Sequence, residues 1–460
     1  MTTIRQPPPG GTEEASSSPV TTTVPDEIAT TAVAPAEIAL LEAPEAVADT
    51  LGEYVFAWWR RVRGGDSGML PVLAGLVIVV LLFQFQNSLF LSAGNVVNLL
   101  IQAAVIVLLG IGEVFVLLLG EIDLSVGYSA GISGGLMAAL VASPFNVPWW
   151  VAILAALAGT TLIGIILGTL ITRLRLPSFI VTLAALIGLQ GVMIWMFDNL
   201  NVAVGGVISV NNTYILDLVS GNLTPLASWI VMGALVAAFA ALTLVRDTRR
   251  RSAGLVAPPI GLSIVKVAVA AIAGIVLVLV CNTNRGVHNA AFHSTVEGVP
   301  FAIPIIFGIL LATSFLLTRT RFGRYVYAIG GNAEAARRAG VNLARVRTVS
   351  FAIAGLMAGF AGVIYTSWLG SIATDIEGGT YVLYAVAAAV IGGTSLFGGR
   401  GKPLHALLGA LVIAAIANGL DLLGAGAAPT LMVTALVLIA AITVDSVARR
   451  GQGATARGKV

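Results

Sequence analysis

From Met69 onward the chain is written in apolar runs of about 17 residues or more, separated by short polar breaks, and each run can cross a hydrocarbon core of roughly 30 Å as a helix. The runs fall at 70–91, 95–119, 124–142, 148–172, 177–197, 225–245, 263–281, 300–317, 348–368, 382–397, 403–420 and 428–445. They predict an all-α polytopic membrane fold with about 12 transmembrane helices; the short run at 382–397 and the glycine-rich one at 124–142 set a range of 10–12. Gly127 and Gly131, Gly164 and Gly168, and Gly355 and Gly359 stand four apart. That spacing lets helix backbones approach closely where lipid supplies no hydrophobic drive for association.

Residues 1–69 are a different polymer. Acids recur between Glu13 and Glu53 among Pro, Thr, Ser and Ala, with Arg5 the lone base before Arg60, which reads as a disordered acidic cytoplasmic tail. It ends in Tyr54, Phe56, Trp58 and Trp59 running into Arg60, Arg61 and Arg63. Aromatics beside arginines suit the headgroup zone of an anionic leaflet, and a solvated juxtamembrane linker is the plainer alternative. No apolar run follows a basic start in the first 30 residues, so no cleavable leader is expected. The transmembrane domain then covers 70–446, followed by a basic cytoplasmic tail at 447–460.

Charge fixes the expected orientation. With the N-terminus inside, 23 of the 25 Lys and Arg residues fall in segments predicted to be cytoplasmic. Lys266 stands in the first turn of a span and can snorkel back, and Arg285 is outside. Both termini are therefore expected in the cytoplasm. Composition agrees: 57% hydrophobic and 10% charged residues leave too little charge to coat a soluble enzyme, and a net charge of +3 is too small to mark a nucleic-acid binder. One cysteine and three histidines leave almost nothing for metal or nucleophilic chemistry.

The longest predicted cytoplasmic loop, 318–347, carries the first candidate site. Asn332 is a plausible cap for a helix of about two turns through Glu334, Ala335 and Ala336, with Gly340 as its stop. Such a helix is too short to stand alone in water and needs something to pack against. Its alanine face fits a groove on a partner, with Arg337 and Arg338 available to acidic rim residues; an ordinary interfacial loop helix is the other reading.

Polar residues inside the apolar runs are the second set. Gly120, Glu121 and Asp123 interrupt one of them, and acids at a membrane edge meet a helix end or a cavity because lipid cannot satisfy them. Asp123 followed by Ser125 reads as a helix cap, a gate or substrate contact, or a proton site. Glu113 lies well inside its run, where burial in charged form costs about 2.5–3.5 kcal/mol. Gln102, eleven residues earlier, shares its face. A neutral polar solute needs donors and acceptors and flat apolar walls, so Gln102, Gln190, Asn418 and Trp195 are pathway candidates, with helix-to-helix hydrogen bonding as the sober alternative. Gly401-Lys402 is followed by Pro403 and lacks the first glycine of a phosphate loop, so nucleotide binding by that motif is not expected.

A resemblance joins these features. Glu334-Ala335-Ala336, three residues, then Gly340 resembles the E-A-A-x-x-x-G loop of ABC importer permeases, whose short coupling helix docks on an ATP-binding subunit. GEIDLSVG at 120–127, LPSFIVTL at 176–183 and AAVIGGTSLFGGRG at 388–401 resemble the branched sugar-permease family that includes ribose and xylose permeases. YVYAIGGN at 325–332 and the extra hairpin around 263–281 look most like the xylose-type branch. Glu121 departs from the pattern, standing where the family usually has glycine, and the acidic tail lies outside it.

The resemblance implies a non-enzymatic translocation subunit in the cytoplasmic membrane, importing a monosaccharide, with a pentose such as xylose the leading choice. It implies no cofactor in this chain, ATP and magnesium on a separate ATPase under loop 318–347, an extracytoplasmic sugar-binding protein, and a second copy of the permease. Arg324, Asn332, Glu334, Ala335, Ala336 and Gly340 become the expected ATPase-coupling residues. A proton-coupled secondary transporter, with Glu113 or Asp123 as the proton site, is the rival class, and a passive channel or scaffold a third.

Overall fold

A computed structural model describes residues 69–436 except 201–202, 255–257, 287–294 and 427, together with Gly52, Glu53, Val55, Phe56, Trp59, Arg60 and Ile439. Most of the acidic tail, the end of the last predicted span and the basic tail at 447–460 lie outside the described residues. Of the aromatic and basic segment, Arg60 sits over the Phe56 ring, 4.9 Å from its centre.

In chain order the helices are α1 (Leu70–Gln86), α2 (Ala93–Leu117), α3 (Val126–Val141), α4 (Trp149–Leu174), α5 (Ser178–Asn199), α6 (Thr213–Ser220), α7 (Pro225–Ser252) and α8 (Ile260–Asn282). They continue as α9 (Ala302–Arg319), α10 (Arg321–Gly331), α11 (Ala333–Arg338), α12 (Leu343–Leu369), α13 (Gly378–Ile391) and α14 (Pro403–Leu422), and residues 428–436 are helical too. Helix occupies part of every predicted run. Among the described residues, however, eight helices reach the length and apolarity that a crossing needs, while α1, α3 and α13 are shorter apolar helices. The structure is that of a polytopic membrane protein.

Local chemistry sets the boundaries. Ser92 accepts a hydrogen bond from the Asn95 amide at the start of α2, Thr224 does the same for the Ala227 amide at α7, and prolines open α7 and α14, where the missing N–H costs nothing. α12 ends at Gly370, whose φ of 66° lies in the left-handed region.

α2 is the axis of the bundle, buried almost without interruption from Ala103 to Leu119. α12 packs against α4, α2 and α3, and α13 and α14 close the opposite side of α2. The pairs Gly164/Gly168 and Gly355/Gly359 lie at the α4–α12 contact, while Gly127 faces α13 and Gly131 faces Met193 of α5. A methyl group at Gly164 would overlap the Phe351 carbonyl, and one at Gly355 the Thr160 carbonyl, so α4 and α12 touch backbone to backbone. By contrast α7 and α8 form a hairpin at the rim, tied by Ser263 Oγ donating to Asp247 Oδ2 at 2.6 Å.

At the end of the bundle remote from α10 and α11, the chain adds structure that the apolar pattern does not announce. β1 (Val207–Ser209) pairs antiparallel with β2 (Ser371–Ala373), Ile208 opposite Ile372, and both isoleucines are buried. The amphipathic α6 packs beside them on α12. Arg285, the one arginine predicted outside, donates to the Asn222 side chain and the Gly298 carbonyl, each at 3.0 Å, and so ties two loops together.

Candidate functional site

The 318–347 segment is more ordered than its sequence suggests. Within the expected loop Thr320 caps a helix, its hydroxyl accepting from the Gly323 amide at 3.2 Å. Along this α10, Gly323, Val326 and Ile329 are buried at a spacing of three, while Arg321, Arg324 and Tyr325 face outward. Asn332 then caps α11 as expected, accepting from the Ala335 amide at 3.0 Å, and Gly340 stops it with a φ of 82°. The Gly340 amide bonds the Arg337 carbonyl and the Val341 amide bonds that of Ala336, each at 3.0 Å. Ala336 is buried, whereas Glu334 and Ala335 are exposed. Glu334 pairs with Arg337 at 2.8 Å and Arg338 at 3.1 Å, which holds its carboxyl below the usual range. Arg337 and Arg338 thus pair with Glu334 on their own helix while both stay exposed.

α10 is seated on the end of the central helix. Phe322 stacks on Phe115 of α2 with ring centres 6.4 Å apart, and Tyr327 donates to the Gly401 carbonyl at 2.7 Å. Gly330 meets the Leu118 carbonyl and the Gly399 backbone so closely that any side chain there would overlap both. Gly399 in turn donates to Leu118 at 2.9 Å. Three glycine-containing segments, 118–121, 330–331 and 398–401, thus converge backbone to backbone. Beside them Glu121 lies 3.0 Å from the Arg347 guanidinium at the start of α12, so the residue that departs from the family pattern has an ion-pair partner.

The acids of this end form a second cluster. Asp123 is buried, and its Oδ1 accepts from the Ser125 amide at 2.9 Å and the Ser125 hydroxyl at 2.6 Å. It caps the turn ahead of α3 rather than the helix itself, whose N-cap Ser125 makes no side-chain capping bond. Burial raises the Asp123 carboxyl above the usual range, and the two bonds from Ser125 offset this only in part. Glu113 is fully buried in α2 within electrostatic reach of Asp123, with neither carboxylate oxygen in a well-formed hydrogen bond among the described residues.

The remaining pathway candidates are dispersed. Gln102 is half-buried on α2. Asn418 is buried on α14 and accepts from the Asn95 side chain of α2 at 2.8 Å, an interhelical bond whose donor the sequence reading did not single out. Gln190 is half-buried on α5, and Trp195 of the same helix is 64% exposed on the outside of the bundle. An aromatic array also went unread: Tyr365 stands edge-on to Trp368 and Tyr381, and Tyr381 edge-on to Tyr384, with ring centres 5.6–6.4 Å apart where α12 and α13 meet.

An apolar multi-helix bundle with a short capped helix laid across one end and glycine-packed spans is the build of an integral membrane permease. The chain belongs to the family of permease components described as branched-chain amino acid transport systems, whose model matches residues 95–442. It is 33% identical over 396 residues to the xylose transport system permease protein of Escherichia coli K12, covering 84% of this chain and 95% of that one. The corresponding protein of Haemophilus influenzae is 31% identical over 388 residues, covering 84% and 98%. The ribose import permease protein of E. coli K12 is 29% identical over 374 residues, covering 81% and 92%. No solved structure matches the chain.

Proposed function

We propose that this chain is the translocating subunit of an ATP-driven monosaccharide importer in the cytoplasmic membrane, with a pentose such as xylose as substrate. The observation that carries the mechanism is the close seat of α10 on the end of α2, with α11 packed against α10 and α12. A separate ATPase, holding ATP and magnesium, docks on Glu334, Ala335 and the turn at Gly340, and its closure drives α10 against Leu118 and Gly399. The bundle then moves between inward and outward access. Support for this side being cytoplasmic comes from the 23 of 25 basic residues that a twelve-span arrangement with both termini inside gathers there. A second copy completes the pathway, and an extracytoplasmic sugar-binding protein delivers the solute. Gln102 and the buried acids Glu113 and Asp123 face this route from α2 and the turn after it, with Asn418 and the tyrosine array nearer its mouth.

Replacing Glu334 by Lys together with Gly340 by Trp tests the docking role. The first removes two ion pairs and the second forces a side chain into a left-handed backbone position. Uptake and ATPase co-purification are expected to be lost while the folded permease stays in the membrane. Unchanged uptake sinks the docking role. Uptake that collapses with an uncoupler and needs no ATPase would instead establish a proton-coupled carrier.

A further inference from the structure

A basic cavity lies beside α10, with the Tyr327–Gly401 bond in its wall. It has a volume of about 640 Å³ and opens where α1 begins, between the end of α9, α10 and the 392–402 loop. Arg324, Arg400 and Lys402 line it together with Tyr327 and His405, and no acid does. None of those three cationic side chains has a hydrogen-bond or ion-pair partner among the described residues, although they gather about one opening. Like charges gathered in this way repel one another unless an anion lies between them. Arg324, one of the expected coupling residues, lines this cavity, and Glu334 does not.

A second observation says what kind of anion. Farther along the same helices runs an apolar crevice of about 100 Å³, lined by Ala103 and Val107 of α2, Phe307 and Leu310 of α9, and Leu407 and Leu411 of α14. Leu310 and the cavity-lining Leu317 are seven residues apart on α9, hence on one face and about 10 Å apart along the axis. α14 also contributes to both, His405 to the cavity and Leu407 and Leu411 to the crevice. A charged cavity at the end of the bundle and an apolar slot nearer its middle are thus both lined by α9 and α14, and on α9 they lie along one face. A free phosphate or nucleotide has use for the first part only, whereas a phospholipid has use for both. Basic pockets between helices at a membrane surface attract anionic headgroups at about 1 kcal/mol per cation.

We propose that this cavity holds the headgroup phosphate of an anionic phospholipid, with Arg324, Arg400 and Lys402 around it and an acyl chain in the slot between α2, α9 and α14. The inference depends on the chain lying in a membrane and not on the ATPase or the sugar, so uptake and lipid retention report on separate questions.

The test is lipid retention by the purified full-length permease, read by native mass spectrometry after exchange into detergent with phosphatidylglycerol or phosphatidylcholine of the same chains. Phosphatidylglycerol is expected to stay bound at least about tenfold more tightly than phosphatidylcholine. The triple variant R324Q/R400Q/K402Q should weaken it by about 100-fold, in line with three surface cations. Because Arg400 is exposed, R400Q alone gives the same test without risk to folding, at about fivefold. Filling the slot with L310W should weaken the long-chain lipid while leaving the weak binding of soluble glycerol phosphate as it was. Equal retention of the two lipids, or full retention by R400Q, overturns the proposal. Glycerol phosphate competing as well as the long-chain lipid would show a free-phosphate site and overturn the lipid assignment.

Discussion

α2 and α8 are both long apolar helices, and α8 is the more apolar of the two, yet 78% of the apolar stretch of α2 is buried inside the bundle against 17% for α8. In water the more apolar helix would be the core. In a membrane both helices already have an apolar solvent, so the interior is chosen by how closely backbones can approach and by which polar groups must be hidden. α2 carries Gly110, Gly112, Ala103 and Ala104 on its contact faces and hides Glu113, while α8 turns Ile264, Val269 and Ile272 outward. The glycines and the acid mark the axis; hydropathy marks only the membrane.

Glycine substitution should break this contrast most sharply. Gly355 faces the Thr160 carbonyl across the α4–α12 contact, whereas Gly233 on the rim helix α7 has open space around it. G355L is expected to abolish recovery of monodisperse permease in detergent, and G233L to leave yield and melting temperature unchanged. Next in size is truncation of a single side chain. I111A, at a fully buried position of α2, should cost about 2 kcal/mol in a thermal or denaturant unfolding series, against less than about 0.5 kcal/mol for the exposed I272A of α8. A smaller effect is expected at the rim itself, where S263A removes the bond to Asp247 and should loosen the α7–α8 hairpin by about 0.6 kcal/mol, read as faster proteolysis between the two helices.

The finest difference is in pH response. Asp123, at the end of the axis, has a folded-state carboxyl raised by burial, so the folded protein binds that proton more readily than the unfolded chain. Stability therefore falls as pH rises from below the unfolded carboxyl range through the raised folded one. D123N removes this titration and keeps an oxygen for Ser125. The melting temperature of the native protein should drop relative to D123N between acid and neutral pH, and parallel curves would show that Asp123 does not titrate in that window.

Much of this architecture was legible as spans, because each apolar run is its own local signal. The Asn332 cap and the Gly340 stop were legible for the same reason, their hydrogen bonds reaching only three or four residues. α10 was missed although its pattern is written in the chain: Gly323, Val326 and Ile329 repeat at three, but glycines and arginines among them read as loop. Contacts between distant segments left no local trace. Ile208 gives no sign that it pairs with Ile372, nor Asn95 that it will reach Asn418, nor Glu121 that Arg347 awaits it. Trp195 illustrates the converse, since an amphipathic ring inside an apolar run reads as pathway and instead faces outward from α5.

The meeting of Gly330 with Leu118 and Gly399 has a mechanical consequence. A contact through long side chains is compliant, since rotamers give way and absorb a small displacement. Here no side chain intervenes: the peptide planes themselves touch, and one backbone hydrogen bond, from Gly399 to Leu118, lies at the joint. Displacing α10 by a fraction of an ångström leaves its neighbours no slack, so the end of α2 and the 392–402 loop must travel with it. The joint behaves as a stiff bearing, and its stiffness is set by the absence of β-carbons at Gly330 and Gly399 rather than by the strength of any bond.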